Sequence, residues 1–143
     1  MKKKVMVLGL FLIMLFCVTS VANAAVMRIS DYINDYSANV YARSGGILDI
    51  SFEVQAPNTM DKIGAKTIIL QERVTGSTTW NAVKTYSYTN YSGMLRNRAL
   101  RHDYVISYYD AVPGNSYRAK VYFYAEKGGS DTIECITGIV KAQ

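Results

Sequence analysis

From Tyr117 to Glu126 apolar and polar positions alternate. Tyr117, Ala119, Val121, Phe123 and Ala125 fall on one parity, and Arg118, Lys120, Tyr122, Tyr124 and Glu126 on the other. A period of two places each set on its own face of a strand, so the stretch predicts a half-buried strand fed by the Val112-Pro113-Gly114 corner. Ile47 to Ala56 repeats the pattern, with Leu48, Ile50, Phe52, Val54 and Ala56 set against Asp49, Ser51, Glu53 and Gln55. Pro57-Asn58 is expected to end that strand, and Thr59 to Gly64 to form a loop.

Ala65 to Val74 is apolar on both parities at Thr67-Ile68-Ile69-Leu70. Its β-branched content and short length favour a central strand over a buried helix. Thr75 to Thr79 is a polar turn, and Trp80 to Thr89 pairs back as a hairpin. Tyr91 to His102 loses the period and is expected as a long loop, with room for one helical turn or a short edge strand. Asp103 to Tyr109 alternates again. Gly128-Gly129-Ser130 turns the chain into a last strand, Asp131 to Lys141, with Ile133, Cys135 and Ile139 on one parity. Before all of these, Ala25 to Tyr36 fits either one helical turn capped by Ser30 or an irregular lead-in to a first strand at about Asn39 to Ser44.

The N-terminal end has a different pattern. Lys2, Lys3 and Lys4 precede an uncharged run from Val5 to Val18, and Ala22-Asn23-Ala24 offers small residues at the positions an export peptidase reads. This is the layout of a secretory signal peptide cleaved after Ala24, with an apolar run short of the ~20 residues a bilayer span needs. No stable membrane anchor is expected after cleavage, and the localisation is secreted or extracellular. Phe16, directly before Cys17, suits lipoprotein processing poorly. Removal of residues 1–24 leaves 119 of the 143 residues, read as a lead-in and first strand over 25–44 and the remainder of one domain over 45–143. Cys135 is then the only cysteine, so no internal disulfide can form.

Six or seven strands with turn signals about every ten residues predict an all-β fold, an antiparallel two-sheet β-sandwich whose apolar faces cover each other. Three further features carry a resemblance: Trp80 after the hairpin turn, the Val112-Pro113-Gly114 corner, and Tyr117 followed by Arg118-Ala119-Lys120-Val121. With them, Thr67 to Val140 resembles the second half of a fibronectin type III or related immunoglobulin-like module. The resemblance implies that Tyr117 is a tyrosine corner, its hydroxyl bonded to backbone upstream. The N-terminal segment, the Arg-rich stretch and the lack of a Trp in the earlier strand depart from that family. Taken whole, the leader, Met60-Asp61-Lys62-Ile63-Gly64-Ala65 and Trp80 also resemble small exported bacterial domains of uncharacterised function, which implies no activity.

Charge and chemistry narrow the functional classes. Three of the 16 basic residues lie in the leader, leaving 13 against 11 acidic ones, about +2, so nothing argues for nucleic acid. With one histidine, His102, and one cysteine after cleavage, neither an imidazole-rich metal site nor a thiolate cluster can be assembled. Cys135 and His102 could pair as nucleophile and base, but Cys135 sits on the apolar parity, where a thiol is usually an inert hydrophobe. Nothing in the sequence makes Asp31 and Asp35, or Asp103 and Asp110, converge. No catalytic residue and no cofactor is expected.

Tyrosine is the outlier, since all 12 lie beyond the leader. Tyr86, Tyr88, Tyr122 and Tyr124, flanked by Arg and Lys, are candidates for a recognition surface, with cross-strand stabilisation of the sheet as the plainer role. Arg96, Arg98 and Arg101, with His102, form a second candidate, a basic loop for an anionic partner. The expected function is a secreted, non-enzymatic, adhesion-type binding module for an extracellular protein or glycan, with a protein inhibitor or small effector as the alternative.

Overall fold

The computed structural model describes residues 30–143. The expected leader and its cleavage site lie outside them. The chain forms strands β1 (Asp35–Arg43), β2 (Ile47–Arg73), β3 (Asn81–Ser87), β4 (Leu95–Tyr108), β5 (Ser116–Glu126), β6 (Ser130–Ile136) and β7 (Val140–Lys141). A 3₁₀ turn, Ser92–Met94, precedes β4. All seven strands hydrogen-bond into one antiparallel sheet that curls on itself.

The curl comes from β2, which runs for 27 residues. Its first half, to Gln55, lies between β1 and β4, and its second half lies between β3 and β5. The expected break at Pro57-Asn58 and the loop Thr59 to Gly64 are instead part of this strand. Pro57 cannot donate to a ladder, but it stands where β1 has ended and the register with β4 shifts, between Gln55 and Met60. A second shift falls between Ala65 and Thr67. The inward parity changes twice, between Met60 and Ile63 and again across the second shift, between Ala65 and Ile68. The buried set runs Leu48, Ile50, Phe52, Val54, Ala56, Met60, then Ile63 and Ala65, then Ile68 and Leu70.

Bending brings the two halves face to face, with the Phe52 and Phe123 ring centroids 5.8 Å apart and Tyr36 5.2 Å from Phe123. The inward side chains of β5, Tyr117 through Ala125, are fully buried in this core. On one flank β1 packs against β5, β6 and β7 and closes the curl.

Three other expectations change. Ser30 Oγ accepts the amides of Tyr32 and Ile33 at 3.1 and 2.8 Å, but no helix follows, and β1 starts at Asp35. The expected loop Tyr91 to His102 is the 3₁₀ turn and the first part of a 14-residue β4; Arg98, with a left-handed φ of 51°, disrupts its alternation. The expected last strand is interrupted at 137–139. There Thr137 takes over the pairing with β5, its Oγ1 accepting the Ala119 amide at 2.9 Å, and Ile139 turns outward, 55% exposed.

Candidate functional site

The outward face of β3, β2, β5 and β6 carries the side chains opposite in parity to the β5 core residues. Cross-strand pairs set them in rows: Gln71 beside Arg118, Ile69 beside Lys120, and Thr67 beside Tyr122, which continues to Glu134. Trp80 lies at the end of this face with two guanidinium groups against its ring, Arg73 Cζ 4.8 Å and Arg118 Cζ 4.4 Å from the centroid. Gln71 Oε1 accepts from Arg118 Nε at 2.9 Å and fixes that arginine's plane. At the other end Lys66 Nζ stands 4.1 Å from the Tyr124 centroid, and the Tyr88 amide donates to the Lys66 carbonyl at 3.1 Å.

Two tyrosine hydroxyls on this face, those of Tyr122 and Tyr124, are anchored. Tyr124 donates to Glu126 Oε2 at 2.7 Å, and a bond to Glu134 pushes the Tyr122 hydroxyl above its ordinary range. Tyr124 is raised too, chiefly by its bond to Glu126, and that bond lowers Glu126. Tyr88, Tyr122 and Tyr124 therefore share one region. Tyr86 does not join them: it is 2% exposed, because its parity on β3 pairs it with buried Ile68 and turns it inward.

Charge is divided between the two outward faces. On the β1, β2, β4 half Asp35, Asp49, Glu53 and Asp103 outnumber Arg43 and Arg101, and both arginines are held in ion pairs, Arg43 Nε to Asp49 at 2.8 Å and Arg101 Nη2 to Glu53 at 2.6 Å. On the other half Lys66, Arg73, Arg118 and Lys120 make no ion pair among the described residues. The expected basic loop is thus dispersed: Arg101 is bound to Glu53, Arg98 sits at the irregularity in β4, and Arg96 lies across from Ile63.

A cleft of about 480 Å³ opens where the edges of β3 and β4 flank the mouth of the curl. Val83, Lys84, Tyr86, Tyr91, Ile106 and Tyr108 line it, with Tyr109 and Asp110 at the rim. The Tyr86 and Tyr91 rings meet edge to face, centroids 5.2 Å apart. Burial, with Tyr91, Tyr108 and Asp110 nearby, pushes the Tyr86 hydroxyl up to about 12, and burial and Asp110 raise Tyr108. Both remain hydrogen-bond donors at neutral pH. The alternation Tyr104, Ile106, Tyr108 places these rings inward, but only the curl reveals that Tyr91 and Tyr86 face Tyr108 across a gap.

The remaining chemistry is separated. His102 is buried beneath the 3₁₀ turn, its Nε2 2.7 Å from the Gly93 carbonyl and its Nδ1 without a partner among the described residues. Cys135 lies beyond β5, next to the backbone of Ala38, and burial raises its thiol. His102 is on β4, which pairs with β2, and Cys135 is on β6, set apart from β2 by β5, and no hydrogen bond among the described residues joins the two. Among the described residues no three His, Cys, Asp or Glu side chains gather to hold a metal. No helix there is long and apolar enough to cross a membrane.

Fold and surface define an all-β protein built on a curled antiparallel sheet. Among solved structures the chain is similar to the sporulation control protein Spo0M from Bacillus subtilis, with 8% identity, coverage of 72% of this chain and 48% of that one, and a TM-score of 0.40. It is also similar to the hypothetical protein PH1083 from Pyrococcus horikoshii OT3, with 19% identity, 75% and 91% coverage, and a TM-score of 0.38. The chain spans about half the length of the Bacillus protein. No protein-family model and no curated protein matches it.

Proposed function

We propose that the protein is an exported, non-catalytic binding module that holds an anionic polysaccharide of a cell surface along the outward face of β3, β2, β5 and β6. One observation carries the reading: Lys66, Arg73, Arg118 and Lys120, which make no ion pair among the described residues, share this face with Trp80, Tyr88, Tyr122 and Tyr124, whereas the opposite outward face is acidic. Sugar rings stack on aromatic faces, and carboxylate or phosphate groups along a polymer meet the cations between them. Gln71, Glu126 and Glu134 hold the flanking side chains in place, which reduces the entropy lost on binding. The proposed fold is a relative of the fibronectin type III or immunoglobulin-like sandwich, a reading supported by the Tyr117 hydroxyl accepting the Val112 amide at 2.8 Å.

The test is retention on immobilised polyuronate and on a neutral glucan at low and high salt. Binding to polyuronate alone, weakened by salt and at least tenfold weaker in the Arg118→Ala/Lys120→Ala variant, is the expected result. Equal retention of that variant and the wild type would remove the face from consideration.

A further inference from the structure

The other candidate surface is the edge of β4, independent of the polysaccharide face. Among the described residues β4 pairs only with β2, so its second edge is unpaired. Natural edges are guarded by charge, proline or irregular backbone. The first part of β4 has such guards in Arg96, Arg98 with its left-handed φ, and Arg101. From Tyr104 to Tyr109 the sequence Y-V-I-S-Y-Y carries no charge, no glycine and no proline, and Val105 is 57% exposed.

Backbone direction can be read from Ser107. Its carbonyl faces away from β2, because the Tyr86 hydroxyl of β3 approaches it, at 3.5 Å, the outer limit of a hydrogen bond. In an antiparallel ladder alternate residues direct their N–H and C=O groups the same way, so Val105 and Asp103 present theirs to the same free edge. The tyrosine-lined cleft lies directly inside this edge. An added strand would satisfy those backbone groups and send alternate side chains into the cleft.

We infer that the Asp103–Tyr108 edge of β4 receives an extended segment of a partner protein, whose inward side chains enter the cleft between β3 and β4. A second copy of this chain fits less well. The inward residues of its own β4, Tyr104, Ile106 and Tyr108, already face its own core, so a β4-to-β4 pair would leave the cleft unfilled. The cleft favours large apolar or aromatic inward side chains, packed against Tyr86, Tyr91 and Ile106, with the Tyr108 hydroxyl donating at their ends.

The experiment selects binders from a displayed library of random decapeptides on the purified protein, then remakes the enriched peptides with alternate amides N-methylated on one edge or the other. The expected result is enrichment of peptides with large side chains at every second position. Methylation of one edge weakens binding at least tenfold and of the other less than twofold. Val105→Lys and Tyr91→Ala each weaken binding about tenfold, with circular dichroism unchanged, and Arg118→Ala/Lys120→Ala leaves it unaltered. Failure to enrich any peptide, or indifference to methylation on both edges, overturns the inference. So does a dimer whose β4 amides are protected from hydrogen exchange, which would make a second copy the occupant. Binding of cellohexaose that depends on Tyr91 and displaces the peptides would assign the cleft to sugar and equally overturn it.

Discussion

Tyr117 and Glu72 meet hydroxyl to carboxylate across the β2–β5 ladder, where the two residues are register partners. The same hydroxyl accepts the Val112 amide, and Glu72 Oε1 also accepts Asn115 Nδ2 at 3.0 Å. Asn115 Oδ1 in turn takes the Thr75 amide at 3.1 Å. One ring thus fastens the corner before β5 to the end of β2, and it does so through a side chain on each strand.

Tyr117→Phe keeps the buried ring but leaves both the Val112 amide and the Glu72 carboxylate short of a partner. The expected loss is about 1 kcal/mol, the net worth of hydrogen bonds at a part-buried site, measured as a lower urea midpoint at unchanged slope. Glu72→Ala should lose a similar amount. The double variant should fall short of the sum by about 1 kcal/mol, because both changes break one network; strict additivity would count against it.

Alkaline stability follows from two hydroxyls. Burial, then the bond to Glu72, pushes Tyr117 up to about 12 from its ordinary 10.0, and Tyr86 reaches about 12 as well, chiefly through burial. The folded chain therefore holds more protons than the unfolded chain between pH 10 and 12, and stability present below pH 10 is lost as pH rises through that window. Urea midpoints at pH 9 and pH 11.5 should differ more in the wild type than in Tyr117→Phe. An equal drop in both would exclude Tyr117 as a source.

Gly64 and Gly45 separate backbone strain from crowding. Gly64 has φ 152°, and a Cβ there would collide with the Met94 carbonyl oxygen and crowd the His102 ring at 3.1 Å. Gly45 has φ 81° and open space around the same position. Gly64→Ala should cost about 3 kcal/mol or more and Gly45→Ala about 1 kcal/mol, checked by thermal unfolding of the two variants side by side.

Trp80→Ala removes the ring that both Arg73 and Arg118 cover. At this half-buried site stability should change by about 1 kcal/mol, while retention on polyuronate falls at least tenfold. A variant that binds as the wild type would place the ligand away from this end of the face.

Period-two alternation was enough to identify β5, the first half of β2 and the final stretch of β4, because each has one face against the core and one against solvent. It also divided β5 into buried and outward sets. Tyr122 and Tyr124 could be read as outward for the same reason. The same signal failed where the backbone is irregular. The register shift around Pro57 and two changes of buried parity, after Met60 and after Ala65, make a single 27-residue strand read as strand, loop and strand. Arg98 did the same to the start of β4.

The sequence by itself determined an all-β chain and which side chains of β5 and of the first half of β2 turn inward. Only the tertiary structure decided that β2 bends to serve both halves of one curled sheet, and therefore which outward face is basic, which is acidic, and where the edges of β3 and β4 leave a cleft. Side-chain direction along a strand is a local property of the pleat. Which strands become neighbours, and which edges stay unpaired, depends on contacts between residues far apart in the chain.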